Sequence, residues 1–540
     1  MRSTRRFALA AVAVFLPAAA QGCFESIPDL VVVDGGGAGS GDGGGCAPES
    51  LVACYHGPAE TEGVGICRAG SAPCANPDDP AVCQGQTLPT VEACATSPEA
   101  LDDDCNGETN EHCANFAARF GDTAIQGIEA LAVYDDGDLL VSGRNTGKID
   151  LGGTTLTATG TEAFVARLGP EGEHRWSRAI SGTNTTTART VASTGADAYV
   201  GGAFKQSVSV GGKSATSNDS NFAIWVARLT DIGTTWLRSY GGSGSRLSDL
   251  ASTSDGAVVF VGALGEAADF GVAGTVVPQG GLDALVAKIS SAGTPVWARG
   301  FGAAGPDEAV HLAADAAGDI YVTGSFSATA DFGCPIGEHE SEGSTDAFVA
   351  KLSGTDGSCV WSRAFGGPGD AIGTAIAVGD GLHVLIRFTD SLSDGDTSWE
   401  SEGDEDTLLA VLDPASGEVQ RARAFGGPGK QSAWDAAVGP GGELAVAFSI
   451  NGSVDFGGGT IDVAEVGAEV DDAAVALFDA DGEHVWSRRF GGDDDDDAIR
   501  VRFDDGGALW VGGEFTGTID LGTGPMLSEV TDAYLMRLTP

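Results

Sequence analysis

Five hundred and forty residues exceed one ordinary domain, and 77 Asp+Glu against 29 Lys+Arg leave a formal net charge of −48. A chain that repels phosphate as a whole is not built to hold nucleic acid or an anionic bilayer surface. Its 42% apolar residues and 83 glycines supply a core and many turns, which excludes wholesale disorder.

At the N-terminus, Arg2, Arg5 and Arg6 precede the apolar run Phe7 to Leu16, and small residues follow. This is the layout of an export signal, too short to span a bilayer. Ala20-Gln21-Gly22-Cys23 then resembles a bacterial lipoprotein box. The resemblance implies removal of residues 1–22, lipidation of Cys23, and placement as an outer-membrane lipoprotein on the surface or periplasmic side. The alternative is cleavage after Ala18-Ala19-Ala20, leaving Cys23 as a spare thiol. Setting Cys23 aside divides the other ten cysteines into two even groups, as an oxidising compartment favours. Residues 23–45 include DGGGAGSGDGGG, and a coil of this kind reaches roughly 25 Å on average.

Residues 46–113 hold Cys46, Cys54, Cys67, Cys74, Cys83, Cys94, Cys105 and Cys113 with few large apolar side chains. Such a segment is a small module stapled by disulfides, whose pairing the spacing leaves open. Its end carries Asp102, Asp104 and Asn106 in alternation, then Gly107, Glu108, Asn110 and Glu111. Alternating oxygen ligands followed by a glycine turn form the head of a calcium loop, but Cys113 stands where the closing bidentate Glu belongs. The spaced cysteines, Pro89 to Cys94, and Asp102-Asp103-Asp104-Cys105-Asn106-Gly107 with Glu111 resemble the metal-binding motif of MopE-type bacterial surface proteins. That resemblance implies a divalent or copper ion held by Asp102, Asp104, Asn106, Glu108, Asn110 and Glu111. The other reading is a disulfide module with a solvated acidic tip.

Residues 114–540 are one motif written seven times. An aromatic or aliphatic residue before a small one recurs at Phe120-Gly121, Ile180-Ser181, Tyr240-Gly241, Phe301-Gly302, Phe365-Gly366, Phe425-Gly426 and Phe490-Gly491, at intervals of 60 to 65 residues. Four residues ahead of each stands Phe116, Trp176, Trp236, Trp297, Trp361, Arg421 or Trp486. An Asp-x-Gly turn (Asp150, Asp269, Asp331, Asp455, Asp520) and a strand opening on an acid (Glu162, Asp283, Asp346, Asp472, Asp532) share the period. Four short β-type runs per copy, the first rich in Ala and Val, predict four-stranded blades with that run innermost. Repeated radially they predict an all-β, seven-bladed β-propeller. The last copy ends after its third strand, and the segment around Phe116 supplies the fourth, closing the ring and covering an edge. The repeat resembles the SBBP-type bacterial propeller repeat, which implies the architecture and no catalytic residue. Copy five departs from the pattern, with Arg421 at the Trp position and no Asp-aromatic-Gly turn near Asp394. Cys334 and Cys359 fall in one blade, where a bridge would be a structural staple worth roughly 3 kcal/mol.

Chemistry is sparse. No GxSxG elbow occurs, and His56, His112, His174, His311, His339, His383 and His484 form no HExxH or repeated ligand spacing. His174 and His484 share one repeat position at the start of the Trp strand, which marks an exposed strand start. Asp493 to Asp497 read as a solvated loop leading into the last blade, facing the channel mouth with Asp122, Asp307 and Asp370, where an acidic rim favours cations. The expected function is a monomeric, lipid-anchored surface module without catalytic activity that binds or scaffolds a protein or carbohydrate ligand. Two alternatives stand beside it: metal binding through the Asp102 to Glu111 loop, with calcium or copper as cofactor, and a propeller hydrolase or lyase at the channel mouth.

Overall fold

The structure is a computed structural model. It describes residues 51–56, 61–64, 66–73 and 83–87 of a small N-terminal unit, and of a large unit residues 114–538 except 218–220, 303, 464–469 and 493. The signal segment, Cys23, the tether, and Asp102, Asp104, Asn106, Glu108, Asn110 and Glu111 lie outside the described residues, as do Cys46, Cys74, Cys94, Cys105 and Cys113.

In the N-terminal unit, Leu51–Cys54 pairs antiparallel with Gly70–Pro73. Cys54 and Cys83 form a disulfide with their Cα atoms 5.9 Å apart, and with Ala72 they make up the buried apolar cluster. Cys67 is also disulfide-bonded. Among the described residues of this unit, two half-cystines and one alanine are the buried apolar groups, and the disulfide joins two of them covalently.

The large unit is a seven-bladed propeller. Blade 4 shows the plan: Glu308–Ala314, Ile320–Phe326, Asp346–Leu352 and Cys359–Phe365 pair in that order, all antiparallel. The innermost strands of blades 1 to 7 are Gln126–Val133, Thr190–Thr194, Arg246–Ser252, Glu308–Ala314, Ala371–Val378, Gln431–Val438 and Asp496–Phe503. Blade 7 continues through Leu509–Asp520 and Pro525–Leu538, and its fourth strand is Ala114–Phe120 from the other end of the chain. Phe116 stands opposite Arg537 and Arg119 opposite Tyr534, so the ring is sealed by main-chain hydrogen bonds and leaves no open third-strand edge.

The core is divided among the blade junctions. Seven apolar clusters each draw on two neighbouring blades, from Val165 with Trp225 between blades 1 and 2 to Trp510 with Phe164 between blades 7 and 1. A four-stranded sheet of this size cannot cover both of its faces, and stacking on its neighbours does so.

Each repeat mark has a local cause. In the Asp-x-Gly turns the Asp Oδ1 accepts the glycine N–H, at 2.9 Å for Gly152, 2.7 Å for Gly333 and 2.8 Å for Gly522, while the middle residue is buried. The outer-strand Trp reaches the next blade: Trp236 Nε1 donates to the Ser291 carbonyl at 2.9 Å and Trp297 Nε1 to the Gly354 carbonyl at 3.2 Å. The indole lies so close over the following turn that a Cβ at Gly357 would be 2.6 Å from Trp297. Cys334 and Cys359 are bridged with Cα atoms 4.8 Å apart, tying the second-to-third connection of blade 4 to the start of its outer strand. Among the described residues no helix is long and apolar enough to cross a membrane.

Candidate functional site

In six blades the innermost strand carries a register shift two or three residues after its start, for example between Ala309 and His311 and between Ala433 and Asp435. Such a bulge leaves a residue out of the ladder and frees a backbone N–H that needs another partner. The partner comes from the neighbouring blade. Thr190 Oγ1 accepts the Leu250 N–H at 3.1 Å, Asp249 Oδ2 accepts that of Leu312 at 3.2 Å, and Asp435 Oδ2 accepts that of Val501 at 3.1 Å. Thr190, Asp249, His311 and Asp435 occupy one register position in blades 2, 3, 4 and 6, and blades 1 and 5 have Ala130 and Ala375 there.

These side chains meet on the axis. His311 Nδ1 lies 3.4 Å from Asp249 Oδ2, and His311 Nε2 lies 3.3 Å from Asp435 Oδ1. Blades 4 and 6 are not neighbours, so the second contact crosses the central channel over Ala375. Thr190 Oγ1 donates to Asp249 Oδ1 at 2.8 Å, and Arg502 pairs with Asp435 Oδ2 at 2.5 Å. Burial alone would raise the Asp435 carboxyl, but Arg502, then His311 and Arg500, outweigh it and hold the group well below the usual carboxylate range. The cluster is buried, and its carboxylates and hydroxyl are engaged with one another, with Arg502 and with freed backbone. The two His311 nitrogens stand at 3.3 and 3.4 Å from carboxylates without a well-formed hydrogen bond. It ties five blades together across the ring.

At the end of the channel where the innermost strands begin lies a more open polar rim. Arg246 forks onto Glu308, with Nε to Oε1 at 2.6 Å, and Ser248 Oγ donates to the same oxygen at 2.8 Å. Arg144 pairs with Glu514 and stands 4.0 Å from Glu129. Burial pushes the Glu514 carboxyl up to about 7 against the pull of Arg144. On the blade 6 side, the bulged residue is Trp434, 37% exposed, with its Nε1 donating to Ser449 Oγ at 2.7 Å. The Arg387 guanidinium sits 4.9 Å over its ring and pairs with Glu405 at 3.3 Å. An exposed indole held by a cation and a hydroxyl is the kind of anchor that dominates protein interfaces.

The acidic rim expected from the sequence is only partly there. Asp122 is spent on a turn, accepting the Ala124 and Lys148 N–H groups and Gln126 Nε2. Asp307 is buried and accepts the Ser327 N–H at 3.1 Å, and Asp370 accepts Ser344 Oγ. The Asp493 to Asp497 run is not all loop: Asp496 and Asp497 open the innermost strand of blade 7, and Asp493 lies outside the described residues. Asp496 is fully buried, and burial first, with the nearby Asp472 adding, pushes it up to about 8. His174 and His484 are half-buried rather than exposed, each with Nε2 3.0 Å from a serine hydroxyl three residues on. Among the described residues no group of three His, Cys, Asp or Glu side chains is placed to hold a metal ion. Sequence reading missed His311, Asp249, Asp435 and Trp434. Aligning the innermost strands by their bulges, rather than searching for spacing motifs, would have put the first three at one position.

No family model matches the chain. Over 186 residues it is 27% identical to the regulatory protein FlaEY of Caulobacter vibrioides, a match covering 34% of this chain and 19% of that protein. The chain thus spans about a fifth of the length of the curated relative it matches. Among solved structures it is similar to YCF48 bound to D1 peptide (9% identity, 79% of this chain and 97% of that one, TM-score 0.37) and to Sqt1 from Chaetomium thermophilum (11%, 78% and 100%, TM-score 0.37). It is similar also to the Pyrococcus horikoshii acylaminoacyl peptidase (12%, 77% and 52%, TM-score 0.38). None of these values reaches the range in which a shared activity follows.

Proposed function

We propose that this protein is an exported, lipid-anchored surface propeller that binds or scaffolds a partner through the rim around Trp434, with no catalytic role. Export and anchoring are supported by the signal-like start, the lipoprotein-like box at Cys23, and disulfides that suit an oxidising compartment. The SBBP-like repeat and the distant regulatory relative suit a binding role. The observation that carries the reading is Trp434: the register position it holds is small or aliphatic in blades 3, 4, 5 and 7 (Ser248, Val310, Thr374, Ile499), and in blade 6 it is an exposed indole. The partner is a protein or carbohydrate of the cell envelope.

Two measurements test this. Mass spectrometry of the mature protein is expected to find a lipid on an N-terminal Cys23, and Cys23→Ser to move the protein to the soluble fraction; an unmodified Cys23 on a soluble protein rejects the anchor. A photo-crosslinker at residue 434 on intact cells is expected to yield a discrete adduct that competes with added purified wild-type protein and not with Trp434→Ala. Equal competition by the two rejects the rim as the binding surface.

A further inference from the structure

Across each blade, one row of side chains runs from the second strand to the fourth at the junction with the next blade. In blade 2 it is Tyr199, Arg228 and Trp236, and in blade 4 it is Tyr321, Lys351 and Trp361. Blade 7 has Trp510, Arg537 and Phe116. The cation lies between two rings: Lys351 Nζ is 5.0 Å over Tyr321, whose ring centroid is 6.3 Å from that of Trp361. The row is solid, and its outer members also donate to the next blade's turn, as Trp361 Nε1 and Lys351 Nζ both do to the Pro414 carbonyl at 3.3 Å.

In blade 5 all three members change, to His383, Val411 and Arg421. Arg421 keeps the outer contact, donating to the Ala480 carbonyl at 2.9 Å. Blades 1, 3 and 6 have an aliphatic residue at the first position but keep the outer Trp (Trp176, Trp297, Trp486), so blade 5 has no Tyr, Phe or Trp at either end. What remains there is a cavity of about 170 Å³, walled by His383, Leu409, Val411, Leu444 and Arg421, with Arg423 and the acids Asp479, Asp481 and Glu483 at its rim. His383 is only 5% exposed, and its Nδ1 has no hydrogen-bond partner. A buried polar nitrogen left unpaired is costly and seldom kept without a use. Burial, and then Arg421, hold this imidazole down to about 4, so it is neutral near pH 7 and offers one donor and one acceptor.

We infer that this cavity is a binding pocket for an aromatic ring that carries its own O–H or N–H, a phenol or an indole, on a neutral or cationic carrier. The cavity lies at the row where blade 4 places Tyr321, Lys351 and Trp361, and an apolar cavity of roughly 150 Å³ already accepts a benzene ring. Arg421 offers a guanidinium for stacking, His383 a nitrogen for the ring's O–H or N–H, and Leu409, Val411 and Leu444 an apolar wall. The acidic rim and the strongly negative chain disfavour a carboxylate carrier. The pocket is distinct from the Trp434 rim and does not depend on the lipid anchor.

The test is calorimetric titration of the full chain with tyramine, with butylamine as a cation lacking the ring. Saturable one-site tyramine binding is expected, with none for butylamine. Arg421→Trp and Val411→Lys restore the residues that blades 3 and 4 have at these positions and refill the space. Each is expected to keep or raise the melting temperature and to weaken tyramine at least about tenfold, a loss of about 1.4 kcal/mol. No saturable binding at millimolar tyramine, equal binding of butylamine, or unchanged affinity in both variants overturns the inference. Tyrosine amide capped at its amine binding as well as tyramine assigns the ring to a peptide partner, and binding of tyramine alone assigns it to a free small molecule.

Discussion

Gly366, just after the fourth strand of blade 4, packs on Asp346 at the start of the third: the Asp346 carboxylate lies against the Gly366 α-carbon, where any Cβ would overlap Oδ2. The same carboxylate accepts the Glu342 N–H at 2.8 Å, so the acid that opens the third strand also holds the connection leading into it. Gly426 meets Asp406, Gly491 meets Asp472 and Gly121 meets Asp532 in the same way. The Phe-Gly mark and the acid that heads the third strand are therefore periodic together because they touch.

Gly366→Ala is expected to cost about 1–3 kcal/mol through overpacking. Asp346→Ala alone also destabilises by freeing the Glu342 N–H. The double variant should cost less than the sum of the two, because the clash disappears with the carboxylate. Urea denaturation of the four proteins measures the coupling, and strict additivity would show that the two residues do not share this contact.

Asp496 makes stability fall as pH rises. Its carboxyl is pushed up to about 8 by burial, above the ordinary value of about 4, so the neutral form is the one the fold prefers. The contribution is complete below about pH 4 and is lost as pH climbs through 8. Asp496→Asn, which keeps the shape without the charge, is expected to be nearly neutral at pH 5 and to stabilise at pH 9 by an amount on the order of 2–5 kcal/mol. Denaturant midpoints at the two pH values check this; a variant that gains nothing at pH 9 rules it out.

Asp435 works in the opposite direction. Its carboxyl is held low by Arg502, His311 and Arg500 despite burial, so its stabilisation is present above about pH 4 and is lost only in acid. Asp435→Ala leaves Arg502 without its carboxylate and the Val501 N–H without its acceptor, a loss expected at about 3–5 kcal/mol. Thermal unfolding should drop steeply for this variant, whereas Asp505→Ala, at an exposed turn of the neighbouring blade 7, should change little.

Closure of the ring rests on a strand from the far end of the chain. Phe116 packs edge-on against Trp510 with centroids 5.7 Å apart, and main-chain bonds run from Ala114 to Phe120. Removing residues 114–120 is expected to expose the edge of Pro525–Leu538 and to produce concentration-dependent association by edge pairing, visible by size-exclusion chromatography. A truncated protein that stays monomeric with an unchanged melting temperature would falsify the closure.

Much of the architecture was legible in the sequence, because a repeat repeats its physics. Period, strand order and the borrowed fourth strand follow from marks such as Trp361, Phe365-Gly366 and Asp346, each of which answers to a contact made in most copies. The pair Cys334 and Cys359 could be matched because they are the two cysteines of one blade. Two things needed the three-dimensional ring. His311 and Asp435 belong to blades that are not adjacent, and only closure brings them within 3.3 Å across the axis. The blade 5 pocket is the sum of three substitutions on three strands, His383, Val411 and Arg421, of which only Arg421 stands out in the repeat, and they become adjacent only once the sheet is paired. Local pattern determined the blades, since a strand's burial and a turn's hydrogen bonds are set by near neighbours. Tertiary structure decided the axis and the pocket, since both are made of side chains that share space without sharing sequence.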